Sequence, residues 1–89
     1  MVRLQVEVCN KLGLHTRAAA KVVNTAARFR SRITVHCGGK SADAGSIMAL
    51  MMLAAAQGAR LTVEAAGPDA AQAAGEVAAL VRARFGEED

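Results

Sequence analysis

His15 and Arg17 stand two residues apart in the stretch NKLGLHTRAAAKVV, residues 10–23, where a loop gives way to an Ala-rich run with helical spacing. The first N–H groups of a helix lack intrahelical partners, and the helix dipole is positive there. Such an end binds anions, phosphate above all. It also disfavours imidazolium, so His15 is expected to be neutral and nucleophilic near neutral pH. Arg17 supplies a planar cation able to grip phosphate oxygens. Gly13 permits a close backbone approach just before the histidine. Within five residues the chain collects a nucleophilic nitrogen, an anion cradle and a phosphate clamp. That is the equipment of a histidine that carries a phosphoryl group. Spacing alone leaves a plainer alternative open, a surface histidine beside a solvated arginine.

Other combinations of reactive residues fall short. A zinc site would need Cys9, His15, His36 and Cys37. Adjacent His36 and Cys37 point to opposite faces of a strand, and the spacings match no common zinc pattern, so no metal is expected. Gly38-Gly39-Lys40-Ser41 has the letters that end a nucleotide-binding loop, but the required earlier Gly is Thr34, so a hairpin turn is the better reading. No second acid, base or metal constellation accompanies His15, and 89 residues leave little room for a closed substrate pocket. These points describe a carrier rather than an independent enzyme, with no cofactor.

The elements that must position His15 are written in the hydrophobic pattern. Val2, Leu4, Val6 and Val8 alternate with polar residues, which makes a half-buried strand over about residues 2–8. Ala19, Val22, Val23 and Ala26 place one apolar stripe on a helix that starts at Thr16 and fades near Arg28 to Arg30. Ile33, Val35 and Cys37 alternate again, Gly38-Gly39 is a hairpin signal, and a short strand over about Lys40 to Ala44 follows. Ser46 caps a short second helix through Ile47, Leu50, Met51 and Ala54, ended by Gln57-Gly58. Leu61, Val63 and Ala65 give a fourth strand. Gly67-Pro68-Asp69 turns into a last helix whose face is Ala73, Val77, Leu80, Val81 and Arg84. The order βαββαβα, with one apolar stripe per helix, predicts an α+β fold. It is a two-layer sandwich of a four-stranded antiparallel sheet with three helices on one face, formed as a single domain over residues 1–89.

The net charge of +3, with basic residues from Arg17 through Lys40, favours an acidic or phosphorylated partner. Nucleic-acid binding by a small basic α/β module is the rival class. Such modules stack bases on sheet aromatics, whereas this chain has no Trp or Tyr and neither Phe falls in a predicted strand. No apolar run approaches the ~20 residues of a membrane span, and the polar-apolar alternation at the N-terminus is unlike a secretory signal. The expected setting is the cytoplasm, with Cys9 and Cys37 as reduced thiols. Three of the four Met lie at positions 48, 51 and 52, too many for one stripe of a short helix, so at least one faces solvent or a partner.

Gly13-Leu14-His15-Thr16-Arg17 with Ala19-Ala20 resembles the active-site signature of the HPr family, the histidine-containing phosphocarriers of the phosphoenolpyruvate-dependent phosphotransferase system. Gly45-Ser46-Ile47-Met48 resembles the family's second signature. Ala49 to Leu53 and Val63 to Pro68 look like the nitrogen-related NPr branch, and the ending Arg84-Phe85-Gly86-Glu87-Glu88 fits that branch or proteobacterial HPr. The resemblance runs over nearly the whole chain and implies an open-faced β-sandwich. It implies that Nδ1 of His15 takes a phosphoryl group from enzyme I and passes it to a IIA-type protein, with Arg17 stabilising the charge. It further implies partner contacts through Thr16, Ala20, Ile47, Met48 and Met51, and regulatory phosphorylation of Ser46 where an HPr kinase/phosphorylase is present. The carrier is expected to be a monomer. Two positions depart from the family pattern. Ala18 replaces a common proline, and as a strong helix former it should loosen the His15 loop without losing the helix. Gly45 replaces a common lysine, which weakens the inference of kinase recognition.

Overall fold

A computed structural model describes residues 1–87; the acidic ending read from the sequence continues into Glu88 and Asp89, which lie outside the described residues. Strand β1 (Val2–Glu7), helix α1 (Thr16–Ala26), strands β2 (Arg32–Cys37) and β3 (Lys40–Asp43), helix α2 (Ile47–Met52), strand β4 (Arg60–Ala66) and helix α3 (Ala70–Arg82) follow in order. A turn of 3₁₀ helix closes the series at Arg84–Gly86. The sheet order is β1-β4-β2-β3, antiparallel throughout. Val6 faces Leu61 and Val63 faces Val35, so the alternating apolar residues meet in rows beneath the helices. This is the α+β two-layer fold that the pattern predicts.

The hairpin between β2 and β3 is a two-residue turn, Gly38 (φ 55°) and Gly39 (φ 85°), which sets Cys37 opposite Lys40. Positive φ at both central residues matches the right-handed twist of the strands, and glycine adopts it without a Cβ clash. The outer sheet face carries Arg3, Glu64, His36 and Ser41. Arg3 pairs with Glu64 at 2.9 Å, His36 Nε2 lies 3.3 Å from the same carboxylate, and His36 Nδ1 is 2.8 Å from Ser41 Oγ. No aromatic side chain lies on this face among the described residues: Phe29 follows α1 and Phe85 sits in the final turn.

The helices pack through small residues. Helix α3 buries Ala70, Ala73, Ala74, Val77, Ala78 and Val81, and α1 buries Ala18, Ala19 and Val22. The bulk of the core comes from elsewhere, chiefly Leu50, Leu61 and Phe85, each buried completely or nearly so. Phe85 reaches the core by a reversal of the chain. The spacing that puts Arg84 on the face of the last helix is overturned: α3 ends at Arg82, and Arg84 (φ 58°), Phe85 (φ 54°) and Gly86 (φ 78°) are all left-handed. Two of these are not glycine, at a cost of roughly 1–2 kcal/mol each. Burial of the phenyl ring, worth about 1.5–3 kcal/mol, offsets much of it. The ammonium of Lys21 also donates to the Phe85 carbonyl at 2.5 Å.

Helix α2 is shorter than its sequence spacing. It closes at Met52, not at Gln57-Gly58, and Ala54 is left-handed (φ 53°) although alanine favours a helix. The segment behind it has other bonds to make. The Ala55 carbonyl accepts from Leu14 N (2.9 Å), Gly58 N donates to the Val8 carbonyl (2.8 Å), and Val8 N donates to the Ala59 carbonyl (2.8 Å). These bonds prolong the β1–β4 ladder and fix the loop ahead of His15.

Asp69 occupies the start of α3, but its carboxylate does not cap that helix. It accepts from Ser31 Oγ (2.6 Å), Ser31 N (3.0 Å) and Arg30 N (3.0 Å), pinning α3 to the loop after α1. The Ser31 hydroxyl first, then the backbone N–H groups, hold its carboxyl below the usual carboxylate range. A depressed carboxyl stabilises the fold above the unfolded-state value, about pH 4, and that contribution is lost as pH falls through the folded-state value. Asp69→Asn is therefore expected to lower the melting temperature at pH 7, with the gap to the wild type closing in strongly acidic buffer. Melting curves across pH check this; a gap that stays constant with pH counts against it.

Candidate functional site

Gly13 sets the approach to the site. Its φ is +66°, and a Cβ there would lie 2.4 Å from the Ala55 carbonyl oxygen. Only glycine fits such a conformation at that distance. Leu14, buried next to it, anchors the loop in the core, and His15 follows as the N-cap of α1 with extended backbone. The ring completes the cap: Nδ1 accepts a hydrogen bond from Arg17 N at 3.2 Å. A nitrogen that accepts carries no proton, so the Nδ1 lone pair points at the helix N-terminus.

The other ring nitrogen is also taken. Nε2 of His15 meets Oε2 of Glu87 in a short contact, with Glu87 mostly buried. A carboxylate accepts only, so Nε2 carries the ring proton. Both contacts together specify the neutral Nε2–H tautomer. Oε1 of Glu87 accepts from Asn10 Nδ2 at 2.8 Å, and the same nitrogen donates to the Gly13 carbonyl at 2.9 Å. Asn10 is fully buried, and two acceptors on one side fix which way its amide points. Hydrogen bonds from Asn10 and then His15, with the Lys21 cation nearby, hold the Glu87 carboxyl below the usual carboxylate range.

Arg17 lies on the first turn with its side chain exposed and unpaired among the described residues. Thr16 is exposed beside His15, its hydroxyl 3.5 Å from the sulfur of Met51, and Ala20 is half-buried one turn along α1. Ile47 (39% exposed), Met48 (74%) and Met51 (42%) project from α2, whose one buried residue is Leu50. With Met52 (70%) they border an open depression of about 490 Å³. Thr16 joins this apolar surface to the histidine. Ser46 caps α2: its hydroxyl accepts from Ala49 N at 3.1 Å.

Three residues around these positions escape the sequence reading. Leu12 is 70% exposed in the loop before His15. Asn10 and Glu87 lie 77 residues apart, and no local pattern connects them. The available signal is indirect: Phe85 is a rare bulky apolar residue near the end of an Ala-rich chain, and Gly86 follows it as a turn former.

An imidazole whose unprotonated nitrogen faces a helix start, an exposed guanidinium two residues on and a flat apolar surface alongside, all on an open-faced sandwich, define a small phosphocarrier. The model of the "PTS HPr component phosphorylation site" family matches residues 2–83. The chain belongs to the HPr family of phosphotransferase-system phosphocarriers. It is 44% identical over 87 residues to phosphocarrier protein HPr of Cupriavidus necator, covering 98% of both chains. It is 45% identical over 83 residues to phosphocarrier protein NPr of Shewanella violacea, covering 93% of this chain and 91% of the relative. The crystal structure of HPr from Thermoanaerobacter tengcongensis superposes with a TM-score of 0.94 at 39% identity, covering all of both chains.

Proposed function

We propose that Nδ1 of His15 accepts a phosphoryl group from enzyme I, charged by phosphoenolpyruvate, and delivers it to a histidine of a IIA-type protein. The tautomer carries this reading: Nε2 is held by Glu87, which leaves Nδ1 as the nucleophile. When the Nδ1 lone pair attacks phosphorus, the donor's P–N bond breaks and its electron pair returns to the donor ring. The N–H of Arg17, released from Nδ1, turns to a phosphoryl oxygen, as the exposed N–H groups of a helix start do for anions. The Arg17 guanidinium spreads the remaining charge. Relatives named HPr and NPr match about equally well, and we assign the chain to the nitrogen or regulatory branch or to proteobacterial HPr, acting in the cytoplasm as one domain.

Incubation with enzyme I and phosphoenolpyruvate tests the proposal. An acid-labile phosphate on histidine that disappears when a IIA protein is added supports it; a chain that stays unphosphorylated overturns it.

Thr16, Ala20, Ile47, Met48 and Met51 form the docking surface in this reading. Both partners must bring a histidine to the same nitrogen, and methionine side chains adapt to more than one surface. Met48→Glu places a charge on that surface at an exposed position, where substitutions change stability by about 0.5 kcal/mol or less. It is expected to slow uptake from enzyme I and delivery to IIA severalfold with an unchanged melting temperature. A steep loss of stability, or normal transfer in both directions, goes against this role. A phosphate on Ser46, added by an HPr kinase/phosphorylase, would put about −1.5 to −2 charges beside the same methionines and oppose docking.

A further inference from the structure

The C-terminal reversal brings a carboxylate back to the histidine, and several separate interactions hold it there. Phe85 plugs the core, the Lys21 ammonium seizes the Phe85 carbonyl, and three successive left-handed residues turn the chain. Glu87 then lands with one oxygen on fully buried Asn10 and the other on Nε2 of His15. Neither Asn10 nor Glu87 touches Nδ1, the nitrogen that would carry the phosphoryl group. Their geometry acts on the ring from its far side.

We propose that Glu87 is a positioning residue for phosphoryl transfer, one that fixes the Nε2–H tautomer of His15 and retains that proton while the group is carried. This rests on the phosphocarrier reading above. As Nδ1 attacks, the P–N bond forms with the Nδ1 lone pair, and the proton on Nε2 stays where it is. The ring thereby becomes a cation, and the Glu87 carboxylate faces that new charge. On delivery the P–N bond breaks, its electron pair returns to Nδ1, and the neutral Nε2–H ring is restored. No proton enters or leaves in either direction. A ring that keeps its Nε2 proton is also the better leaving group, because departure restores a neutral imidazole instead of an anion. Asn10 serves the same end by orienting the carboxylate, and it keeps the loop before His15 in register through the Gly13 carbonyl.

Glu87→Ala and Glu87→Gln test the proposal in the full chain. ¹⁵N NMR of the imidazole in mildly alkaline buffer reads the tautomer directly, and transfer from phosphorylated enzyme I reads the consequence. In the wild type nearly all of His15 should be protonated at Nε2. In Glu87→Ala the Nδ1–H form should become a substantial population. In Glu87→Gln it should rise further, since with the amide oxygen on Asn10 the NH₂ group faces Nε2 and donates to it. The maximal transfer rate should fall about tenfold in both, the low end for loss of the partner that orients a functional histidine. The enzyme I concentration at half-maximal rate should hold, since the docking surface is untouched. A folded Glu87→Ala protein with the wild-type tautomer, or with the wild-type transfer rate, overturns the proposal. A wild-type chain that takes no phosphoryl group from enzyme I overturns the phosphocarrier reading instead, and the ¹⁵N spectra still decide whether Glu87 sets the ring.

Discussion

His15→Ala is expected to take up no phosphoryl group from enzyme I and also to melt several degrees below the wild type. The first effect is the loss of the Nδ1 nucleophile, for which no other side chain at the helix start substitutes. The second follows from the cap. Nδ1 accepts from Arg17 N, and replacing a capping side chain by alanine costs about 1 kcal/mol, which for a domain of this size is about 4–8 °C. His15→Asn separates the two. Its side-chain oxygen occupies much the same place as Nδ1 and is a favoured cap, so the variant should melt near the wild type and still carry no phosphate. Phosphorylation of either variant to the wild-type level would remove His15 from the proposed chemistry.

Phe85→Ala should produce the largest loss of stability of any single truncation near the chain ends. Truncating a fully buried Phe costs about 3–5 kcal/mol, against a total of about 4–13 kcal/mol for a chain of this length. A fall of more than about 10 °C in melting temperature is expected. The core is otherwise Ala-rich, so few side chains can swing in to fill the space. The same substitution frees the turn that delivers Glu87, so the variant should also lose the single tautomer of His15 in the cold, where it is still folded. Phe29→Ala, at a half-buried position, is the matched control and should cost clearly less. If the two melt alike, Phe85 is not the anchor its burial indicates.

Much of the fold is legible in the sequence because its rules are local. The period-two strands, the Gly38-Gly39 hairpin and the Ser46 cap each follow from a handful of neighbouring residues. Two elements end where local rules say they should continue. Ala54 favours a helix, yet α2 stops before it because the following backbone is needed by Leu14 and Val8, forty or more positions earlier. Arg84 fits the period of α3, yet the chain turns there because Phe85 belongs in the core. The candidate site divides in the same way. His15 and Arg17 stand out as neighbours in sequence, and the Met cluster betrays itself by exceeding what one stripe can bury. Glu87 is invisible from sequence because its bond to His15 spans 72 positions and depends on a turn that breaks the helical pattern.

The alanine faces of α1 and α3 give the fold a directional tolerance to change. An alanine in those contacts is already close to the smallest side chain available. Shrinking one to glycine removes a single methyl group and adds about 1 kcal/mol of helix cost. Enlarging one to leucine or isoleucine has nowhere to go, because Ala18, Ala19, Ala73, Ala74 and Ala78 have no solvent-accessible surface. Such insertions push side chains off their rotamers or part the layers, at about 1–3 kcal/mol and sometimes more. At Leu50, Leu61 and Phe85 the ordering is reversed, with truncation the damaging direction. A library of variants sorted by survival would therefore split the core into two sets of opposite polarity, the helix faces closed to growth and the three bulky positions closed to loss.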